Sequence, residues 1–235
     1  MPGPPSSRFP DPRRAPGDAP VAAGGDLEPA TLLDAYRHGI FPWPLDEGHG
    51  PAPLLWWSPD PRAVIPLDGL HVSRTLARTL RRGVFACAVD TDFDAVVAYC
   101  ADRPGEGTWI TPAMASAYGR LHRLGAAHSV EVRDGGGALV GGVYGVTVGA
   151  AFCAESMFSR ATDASKVALV ALVAQLRADG FALLDAQLPT PHLKRMGAVA
   201  LPRDVYLRRL SAAVDRPARF AAAGGALAAA GLAPG

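Results

Sequence analysis

The stretch from Val140 to Gln187 most constrains the fold, because it combines long apolar runs with isolated polar residues. It reads as two strands, a long buried helix and a third strand. Four polar residues interrupt its apolar positions, namely Glu155, Ser156, Asp185 and Gln187. Burying an unpaired carboxylate costs several kcal/mol, so we expect both acids to be paired and to serve a function.

The order strand, helix, strand predicts a crossover unit with its polar residues near a sheet edge or a cleft. Strand alternation predicts that Glu155 and Met157 share one face, and that Phe152, Ser156 and Phe158 share the other. In the last strand it places Leu183, Asp185 and Gln187 together. The helix is apolar on nearly every side, which indicates burial.

The whole order of elements predicts an α+β fold with a mixed sheet flanked by helices. Residues 1–18 are rich in Pro, Gly and Arg and are expected to be a disordered tail. Residues 19–61 are expected to form a small N-terminal α/β domain, residues 62–214 the main domain, and residues 215–235 a low-complexity tail.

Composition indicates an ordinary soluble globular protein, with 235 residues, 49% hydrophobic residues and a formal charge of +1. Its three cysteines are scattered and form no CxxC pair, so we expect neither a disulfide framework nor a metal site. Neither a signal peptide nor a membrane span is expected. These features favour the cytoplasm.

One predicted helix carries an unbalanced basic face. In HVSRTLARTLRRG, helical spacing places the two leucines toward the core and the four arginines on the exposed side, with no interleaved acid. Such a face is either simply solvated or binds an anionic partner such as phosphate. The arginines are Arg74, Arg78, Arg81 and Arg82.

Common catalytic motifs are absent from the sequence, which contains no GxxxxGK[ST], GxGxxG, HExxH or GxSxG. The order of strands is similar to that of N-acyltransferases that bind acetyl-CoA, which hold pyrophosphate on a Gly-rich loop before a helix. The matching turn here, SRATDASK, has an Asp and no glycine. An acyl transferase with this turn would need another activated acyl donor.

Several long strings resemble the bacterial leucyl/phenylalanyl-tRNA-protein transferase family, among them GIFPW, WWSPDPRAV, EGTWIT, FCAESMFSR and LLDAQ. The resemblance runs in unbroken order from about Gly24 to Leu210. It implies a small N-terminal domain followed in sequence by a GNAT-like catalytic domain. It also implies transfer of Leu, Phe or, less well, Met from aminoacyl-tRNA to proteins that begin with Arg or Lys, marking them for degradation, without a cofactor or a metal.

The resemblance also implies site residues. Asp185 and Gln187 match the family's catalytic pair, and Glu155 matches its site carboxylate. The residues expected around the donor side chain and the terminal adenosine are Trp43, Trp109, Val143, Phe152, Met157, Ser159, Leu169, Leu172 and Leu184. Val143, Leu172 and Leu176 stand where relatives can carry Met or Phe, so a wider pocket that favours Phe is expected.

The chemistry leaves several alternatives open. An attacking α-amine must be neutral and must lose a proton, and a neutral amide such as Gln187 can orient it but is a poor base. Asp185 is therefore the better candidate for electrostatic help or for accepting the proton, although the terminal ribose of the tRNA could also relay it. The Asp-Gln pair could instead be structural. Alanine at either position is expected to preserve the fold and to lower transfer at least ~100-fold. A CoA-dependent N-acetyltransferase and a non-enzymatic tRNA-binding adaptor are the rival functions.

Overall fold

The structure is a computed structural model that describes residues 7–17, 19–44, 53–103, 107–221 and 227–228. The seven α-helices in this part of the chain are α1 (Pro29–Arg37), α2 (Arg74–Arg82), α3 (Phe93–Ala101), α4 (Pro112–Arg123), α5 (Ala164–Ala178), α6 (Pro191–Arg195) and α7 (Arg203–Val214). The first eight strands are β1 (Ala22–Ala23), β2 (Phe41–Pro42), β3 (Leu55–Trp57), β4 (Arg62–Ile65), β5 (Phe85–Val89), β6 (Ala127–Asp134), β7 (Leu139–Val148) and β8 (Ala151–Ser159). Three more follow, β9 (Leu183–Gln187), β10 (Val199–Leu201) and β11 (Leu227–Ala228).

The main sheet has eight strands in the order β10-β4-β9-β8-β7-β6-β5-β11. Every pair in it is antiparallel except β8 and β9, which are parallel and are joined by α5. A second sheet of three short strands, β1-β3-β2, lies in the N-terminal part. The expectation of an α+β fold with a mixed sheet flanked by helices is therefore confirmed, as is the crossover unit.

Helices cover both faces of the main sheet and form two cores. One core contains apolar residues of α1, α3, α4 and α7, and the Trp56 side chain of the small sheet packs in it. The other is formed chiefly by α2 and α5. Helix α5 is buried on nearly all sides, because eleven of its residues are buried. Its first turn packs tightly on β7, where a Cβ on Gly141 would lie 2.6 Å from the Ala164 Cβ.

Two β-bulges disturb the strands around the parallel pair. Tyr144 pairs with Ser156 and Gly145 with Ala154, which leaves Glu155 as the extra residue of β8. A similar shift between β4 and β9 makes Ala186 an extra residue of β9. Bulges of this kind redirect side chains and are frequent next to active sites.

The bulge overturns the expected faces of β8. Phe152 and Met157 contact the α5 core, whereas Cys153 and Phe158 contact the opposite core. The expectation that Met157 and Phe152 lie on different faces is wrong, because one extra residue reverses the alternation beyond it. For β9 the expectation holds for Leu183 and Asp185, which both face the α7 side. It does not extend to Gln187, because the extra residue Ala186 shifts the pairing before it and Gln187 lines the cavity.

The N-terminal segment packs on the body where a disordered tail was expected. Residues Pro12–Arg14 form a 3-10 turn, and Asp34 accepts hydrogen bonds from the Ser7 hydroxyl (3.1 Å) and the Arg8 backbone N–H (2.8 Å). The Phe9 ring lies 4.7 Å from that of Trp56. Residues 1–6 and 18 lie outside the described part. A sequence too polar to fold alone is thus held by contacts that the body supplies.

At the C-terminal end, Phe220 is buried against the α5 core, and β11 pairs with β5 at the sheet edge. Residues 222–226 and 229–235 of the expected low-complexity tail lie outside the described residues. Over the ranges described, the structure contains no helix that is both long enough and apolar enough to cross a bilayer.

Candidate active site

A cavity of about 870 Å³ opens where β8 and β9 separate. The parallel ladder holds three residue pairs and ends at Cys153 and Asp185, beyond which the two strands diverge. The carboxyl ends of parallel strands are a common place for ligands. The cavity wall includes Glu155 and Gln187 from the diverging strands and Leu169 from α5. Around the start of α6 it includes Thr190, His192 and Leu193.

Asp185 lies at the base of this divergence and is completely buried. Its carboxylate binds Arg62 through two bonds, with Nε to Oδ1 at 2.9 Å and Nη2 to Oδ2 at 2.6 Å. The Tyr206 hydroxyl donates to Oδ2 at 2.8 Å, and the Gln187 backbone N–H donates to Oδ1 at 2.9 Å. Each carboxylate oxygen therefore accepts two hydrogen bonds, which uses its full capacity.

Arg62 is equally buried and is held on all sides. Its guanidinium lies 4.7 Å from the centroid of the Phe41 ring and 4.6 Å from that of Tyr206, and it donates to the Gly39 carbonyl at 3.2 Å. Burial opposes its charge, but the facing Asp185 carboxylate more than offsets this and raises the pKa of Arg62. The two side chains thus form a buried, bidentate ion pair.

Gln187 connects Asp185 to the cavity. Its backbone has a φ of +59°, a left-handed conformation that is rare for residues other than glycine and that concentrates at functional sites. The Gln187 Nε2 donates to Glu155 Oε1 at 2.7 Å. Because an ionised carboxylate only accepts, this bond fixes the amide so that its oxygen remains free to accept a proton donor from the cavity.

Glu155 is half-buried at the cavity wall. Its Oε2 accepts a hydrogen bond of 2.7 Å from the Tyr118 hydroxyl, whose oxygen lies 2.9 Å from that of Tyr36. Desolvation raises the pKa of Glu155 to about 7, although the hydrogen bond from Tyr118 and the nearby Tyr36 hydroxyl act in the opposite direction. Each Glu155 oxygen retains one lone pair, so this carboxylate can take up a proton near neutral pH.

Five of the nine expected substrate-binding residues line the cavity, namely Trp43, Trp109, Val143, Met157 and Leu169. The two tryptophan rings stack, with centroids 5.0 Å apart and planes inclined by 21°. The aliphatic residues form an apolar wall together with Ile65, Ala154 and Ala186. One part of the cavity therefore suits a flat ring and another suits an apolar side chain.

The other four expected residues lie elsewhere. Phe152 and Leu172 are buried in the α5 core. Leu184 of β9 is buried there too and borders a separate groove. Ser159 borders a smaller neighbouring cavity, where its hydroxyl donates to the Ala161 carbonyl and accepts from the Ser165 N–H. Leu176 is also fully buried. The expectation that Leu172 and Leu176 widen the pocket is wrong, since the face of α5 toward the cavity carries Leu169.

Helix α2 has the basic face that was expected. Ser73 caps its first turn, Gly83 ends it in the left-handed conformation, and Leu76 and Leu80 are buried. All four arginines of the helix are exposed, and no ion pair within 4.0 Å involves them in the described residues. The helix adjoins the start of α5, where the Thr79 hydroxyl donates to Asp163.

Sequence reasoning missed Arg62, Tyr36, Tyr118 and Tyr206. Arg62 interrupts the apolar strand RAVI, so the argument that singled out Asp185 could have identified it as the partner. The tyrosines lie among buried helix residues, where their hydroxyls carry no periodic signal. Among the residues described, no cluster of three His, Cys, Asp or Glu side chains could hold a metal ion.

The chain is an α+β protein whose mixed sheet opens a cavity where its two parallel strands separate. A family model described as leucyl/phenylalanyl-tRNA protein transferase matches residues 64–211, and the model of its N-terminal domain matches residues 25–60. The chain belongs to the leucyl/phenylalanyl-tRNA-protein transferase family and is a transferase.

Similar curated proteins have the same description. One from Anaeromyxobacter sp. (strain K) is 54% identical over 212 residues, which cover 89% of each chain. One from Pseudomonas putida is 53% identical over 199 residues, covering 84% of this chain and 86% of the relative. Both are described as leucyl/phenylalanyl-tRNA–protein transferases.

Similar solved structures are more distant. L-PGS from Bacillus licheniformis has a TM-score of 0.40 and 12% identity, with 70% of this chain and 52% of that chain covered. This chain therefore spans about half of that protein. A GCN5-related N-acetyltransferase from Kribbella flavida has a TM-score of 0.35 and 10% identity, with 74% of this chain and 61% of that chain covered.

Proposed function

We propose that this protein transfers Leu or Phe, and less readily Met, from aminoacyl-tRNA to the α-amino group of cytoplasmic proteins that begin with Arg or Lys, which marks them for degradation. Membership of the family supports this proposal. The observation that carries it is the Glu155–Gln187–Asp185 array at the wall of a largely apolar cavity.

The reaction needs no energy source beyond the donor ester. The neutral α-amine attacks the ester carbonyl carbon, a C–N bond forms, and the carbonyl π electrons move to oxygen. Collapse of this intermediate breaks the C–O bond to the terminal ribose, whose oxygen leaves and takes up a proton. The attacking nitrogen must also lose a proton, so the site needs an acceptor close to the amine.

Glu155 is the group best suited to accept this proton. Its pKa of about 7, raised by desolvation, lies near the working pH, where a general base is most effective. Asp185 is unsuited, because all four of its hydrogen-bonding positions are taken and Arg62 stabilises its charge. Asp185 instead positions Gln187 through the Gln187 backbone N–H.

Gln187 orients the attacking amine. Since its Nε2 is bound to Glu155, its amide oxygen can accept one N–H of the amine and direct the nitrogen lone pair at the ester. The donor side chain would lie against Val143, Met157 and Leu169, and the terminal adenine against Trp43 and Trp109. An unpaired polar donor side chain would be rejected from this wall by the cost of its desolvation.

The rival CoA-dependent reaction conflicts with the turn before α5. There Asp163 has a φ of +68°, and its carboxylate accepts hydrogen bonds from Lys166 Nζ (2.7 Å) and the Thr79 hydroxyl (3.1 Å). The bond from Lys166 is the main cause that lowers the pKa of Asp163, which keeps it charged. The Asp163 carboxylate therefore occupies the Lys166 and Thr79 donors that a pyrophosphate at this helix start would need.

The test is transfer of radiolabelled Phe from Phe-tRNA to a peptide that begins with Arg, scored as labelled peptide. The controls are the same peptide with an N-terminal Ala and a reaction with labelled acetyl-CoA in place of the tRNA. We expect label only with Phe-tRNA and the Arg peptide. Binding of tRNA without transfer would favour the adaptor function, and acetylation would favour the CoA-dependent enzyme.

A further inference from the structure

Two tyrosines outside the strands of the site form a directed hydrogen-bond chain that ends on Glu155. Tyr118 of α4 donates its single hydroxyl hydrogen to Glu155 Oε2. A tyrosine hydroxyl has only one hydrogen, so the bond between the two hydroxyls must be donated by Tyr36 of α1 to the Tyr118 oxygen. Both side chains are 1% exposed, so bulk water does not compete for these bonds.

The direction of the chain has an electrostatic consequence. Both hydroxyl dipoles point their positive ends toward Glu155, and a hydrogen bond whose donor is itself an acceptor is strengthened by polarisation. Burial, followed by the nearby Glu155 charge, raises the pKa of both tyrosines well above the usual value. Across the working range they therefore stay protonated and act only as donors toward Glu155.

We propose that Tyr118, supported by Tyr36, is a positioning residue for transfer: it holds the Glu155 carboxylate so that the other oxygen binds Gln187, and it stabilises the charged form of that carboxylate. This inference rests on the proposed function. It adds that the N-terminal part of the chain supplies one member of the catalytic hydrogen-bond network, through Tyr36 on α1.

Other charged and titratable groups also affect the pKa of Glu155. Asp185 disfavours its charge and Arg62 favours it. Burial and the nearby Glu155 charge raise the pKa of Tyr144 on β7. Arg103, which follows α3, acts in the opposite direction. Among the residues that the structure describes, Cys153 on the same strand and His192 of α6 on the cavity wall also lie near Glu155. None of these is altered by removing the Tyr118 hydroxyl.

The test is the ratio of kcat/KM for the Arg peptide in Tyr118→Phe to that in wild type, measured from pH 6 to pH 9 with saturating Phe-tRNA. Titration of the acceptor amine and hydrolysis of the ester affect both enzymes equally and cancel in the ratio. Losing one hydrogen bond to the carboxylate shifts the acidic limb of the kcat/KM profile upward by about one pH unit. The variant-to-wild-type ratio of kcat/KM therefore falls roughly tenfold at pH 6 relative to pH 9. A smaller shift in the same direction is expected for Tyr36→Phe.

Tyr99→Phe is the matched control, since Tyr99 packs on Phe158 and Arg160 and takes no part in the hydrogen-bond chain from Tyr36 to Glu155. Its ratio should not vary with pH. A pH-independent ratio for Tyr118→Phe, whatever the loss of thermal stability, would show that the hydroxyl only packs the core and would overturn the proposal. If Tyr118→Phe does not fold, the same criterion applies to Tyr36→Phe.

A second readout does not depend on activity. Carboxyl-labelled glutamate, with Glu155→Gln used for assignment, allows the titration of Glu155 to be followed by NMR in the full chain. An upward shift in Tyr118→Phe supports the proposal even if the wild type transfers nothing, in which case only the proposed function fails. An unchanged titration refutes the role of Tyr118 even if the wild type is active.

Discussion

At the scale of single residues, Glu155 shows how function and stability oppose each other. Burial of its carboxylate by the surrounding protein raises its pKa to about 7, which suits a base but disfavours the charged form in the folded protein. The unfolded chain does not carry this penalty. Under the proposed mechanism, Glu155 is thus a site where catalysis requires an arrangement that folding alone would not select.

Glu155→Gln is expected to abolish most transfer and to stabilise the protein above neutral pH. In the wild type the raised pKa contributes stability that is fully present below about pH 4.5, the value for a free Glu, and is lost as the pH rises through about 7. Residue 155 of the variant does not titrate, so the free energy of unfolding of the variant should exceed that of wild type by an amount that grows from about pH 4.5 to above pH 7. The difference should reach on the order of 2 kcal/mol, while transfer falls at least ~100-fold.

Urea denaturation at pH 5 and pH 8.5 measures this difference, with Glu28→Gln at the exposed start of α1 as the baseline. A variant no more stable than wild type at pH 8.5 would show that the carboxylate carries no burial penalty.

At the scale of elements, the orientation of helix α5 decides which of its leucines meets the donor. Leu169 lines the cavity, whereas Leu172, less than one turn further along, is completely buried in the core. Periodicity predicts that such a helix is buried but not which side meets a ligand, because it is apolar all round.

Leu169→Phe is expected to shift donor choice toward Leu, since a larger side chain fills space that a Phe donor needs. Differences of this size in an apolar pocket are worth about 1 to 3 kcal/mol, so the Leu-to-Phe ratio of kcat/KM should change at least about tenfold. Leu172→Phe, the matched variant, should lower stability by about 1 to 3 kcal/mol through overpacking and leave the ratio unaltered. Competition between Leu-tRNA and Phe-tRNA at equal concentration measures both. Equal ratios in the two variants would mean that Leu169 does not contact the donor.

Helix α2 is the element expected to contact tRNA phosphates. Neutralising Arg81 and Arg82 together should weaken binding of every tRNA alike and lower the slope of log K against log salt by roughly one unit per lost contact. Arg208→Ala with Arg209→Ala on exposed positions of α7 is the matched control, with the same charge removed from another helix. A slope that changes no more for α2 than for α7 would indicate that the α2 face is only solvated.

At the scale of the whole molecule, the Arg62–Asp185 ion pair joins parts that are far apart in the chain. Arg62 begins β4 and contacts Phe41 and the Gly39 carbonyl, whereas Asp185 lies in β9 and accepts from Tyr206 of α7. The pair therefore connects the N-terminal part, the sheet and the last helix while it positions Gln187.

Asp185→Ala is expected to destabilise the protein by roughly 3–5 kcal/mol, because it leaves the Arg62 charge buried and unpaired. This replaces the expectation from sequence that alanine at this position preserves the fold. The combination Arg62→Met with Asp185→Leu should recover much of the stability but not the transfer. Urea denaturation of the wild type and the two variants measures this. An Asp185→Ala protein within about 1 kcal/mol of wild type, well below the expected loss, would contradict it.

The sequence by itself determined the helices and strands and their order, together with the polar residues of the candidate site. Helix α2 with its caps, the buried α5 and the crossover between β8 and β9 all follow from local periodicity and capping, which neighbouring residues determine. Glu155, Asp185 and Gln187 stood out because charge among apolar residues is costly, and the family strings assigned the class of reaction.

Only the tertiary structure decided the partners and the faces. The bulge at Glu155 arises from pairing with β7 and exchanges the sides of every later residue of β8. Arg62 and Asp185 are 123 residues apart, and Tyr36 and Tyr118 are 82 apart, so no local pattern relates them. Hydrogen bonds and ion pairs form between groups that folding brings together, and their geometry depends on the packing of the whole chain. That packing places Glu155 on the cavity wall and buries Asp185 against Arg62, which is the arrangement on which the proposed roles of the two acids depend.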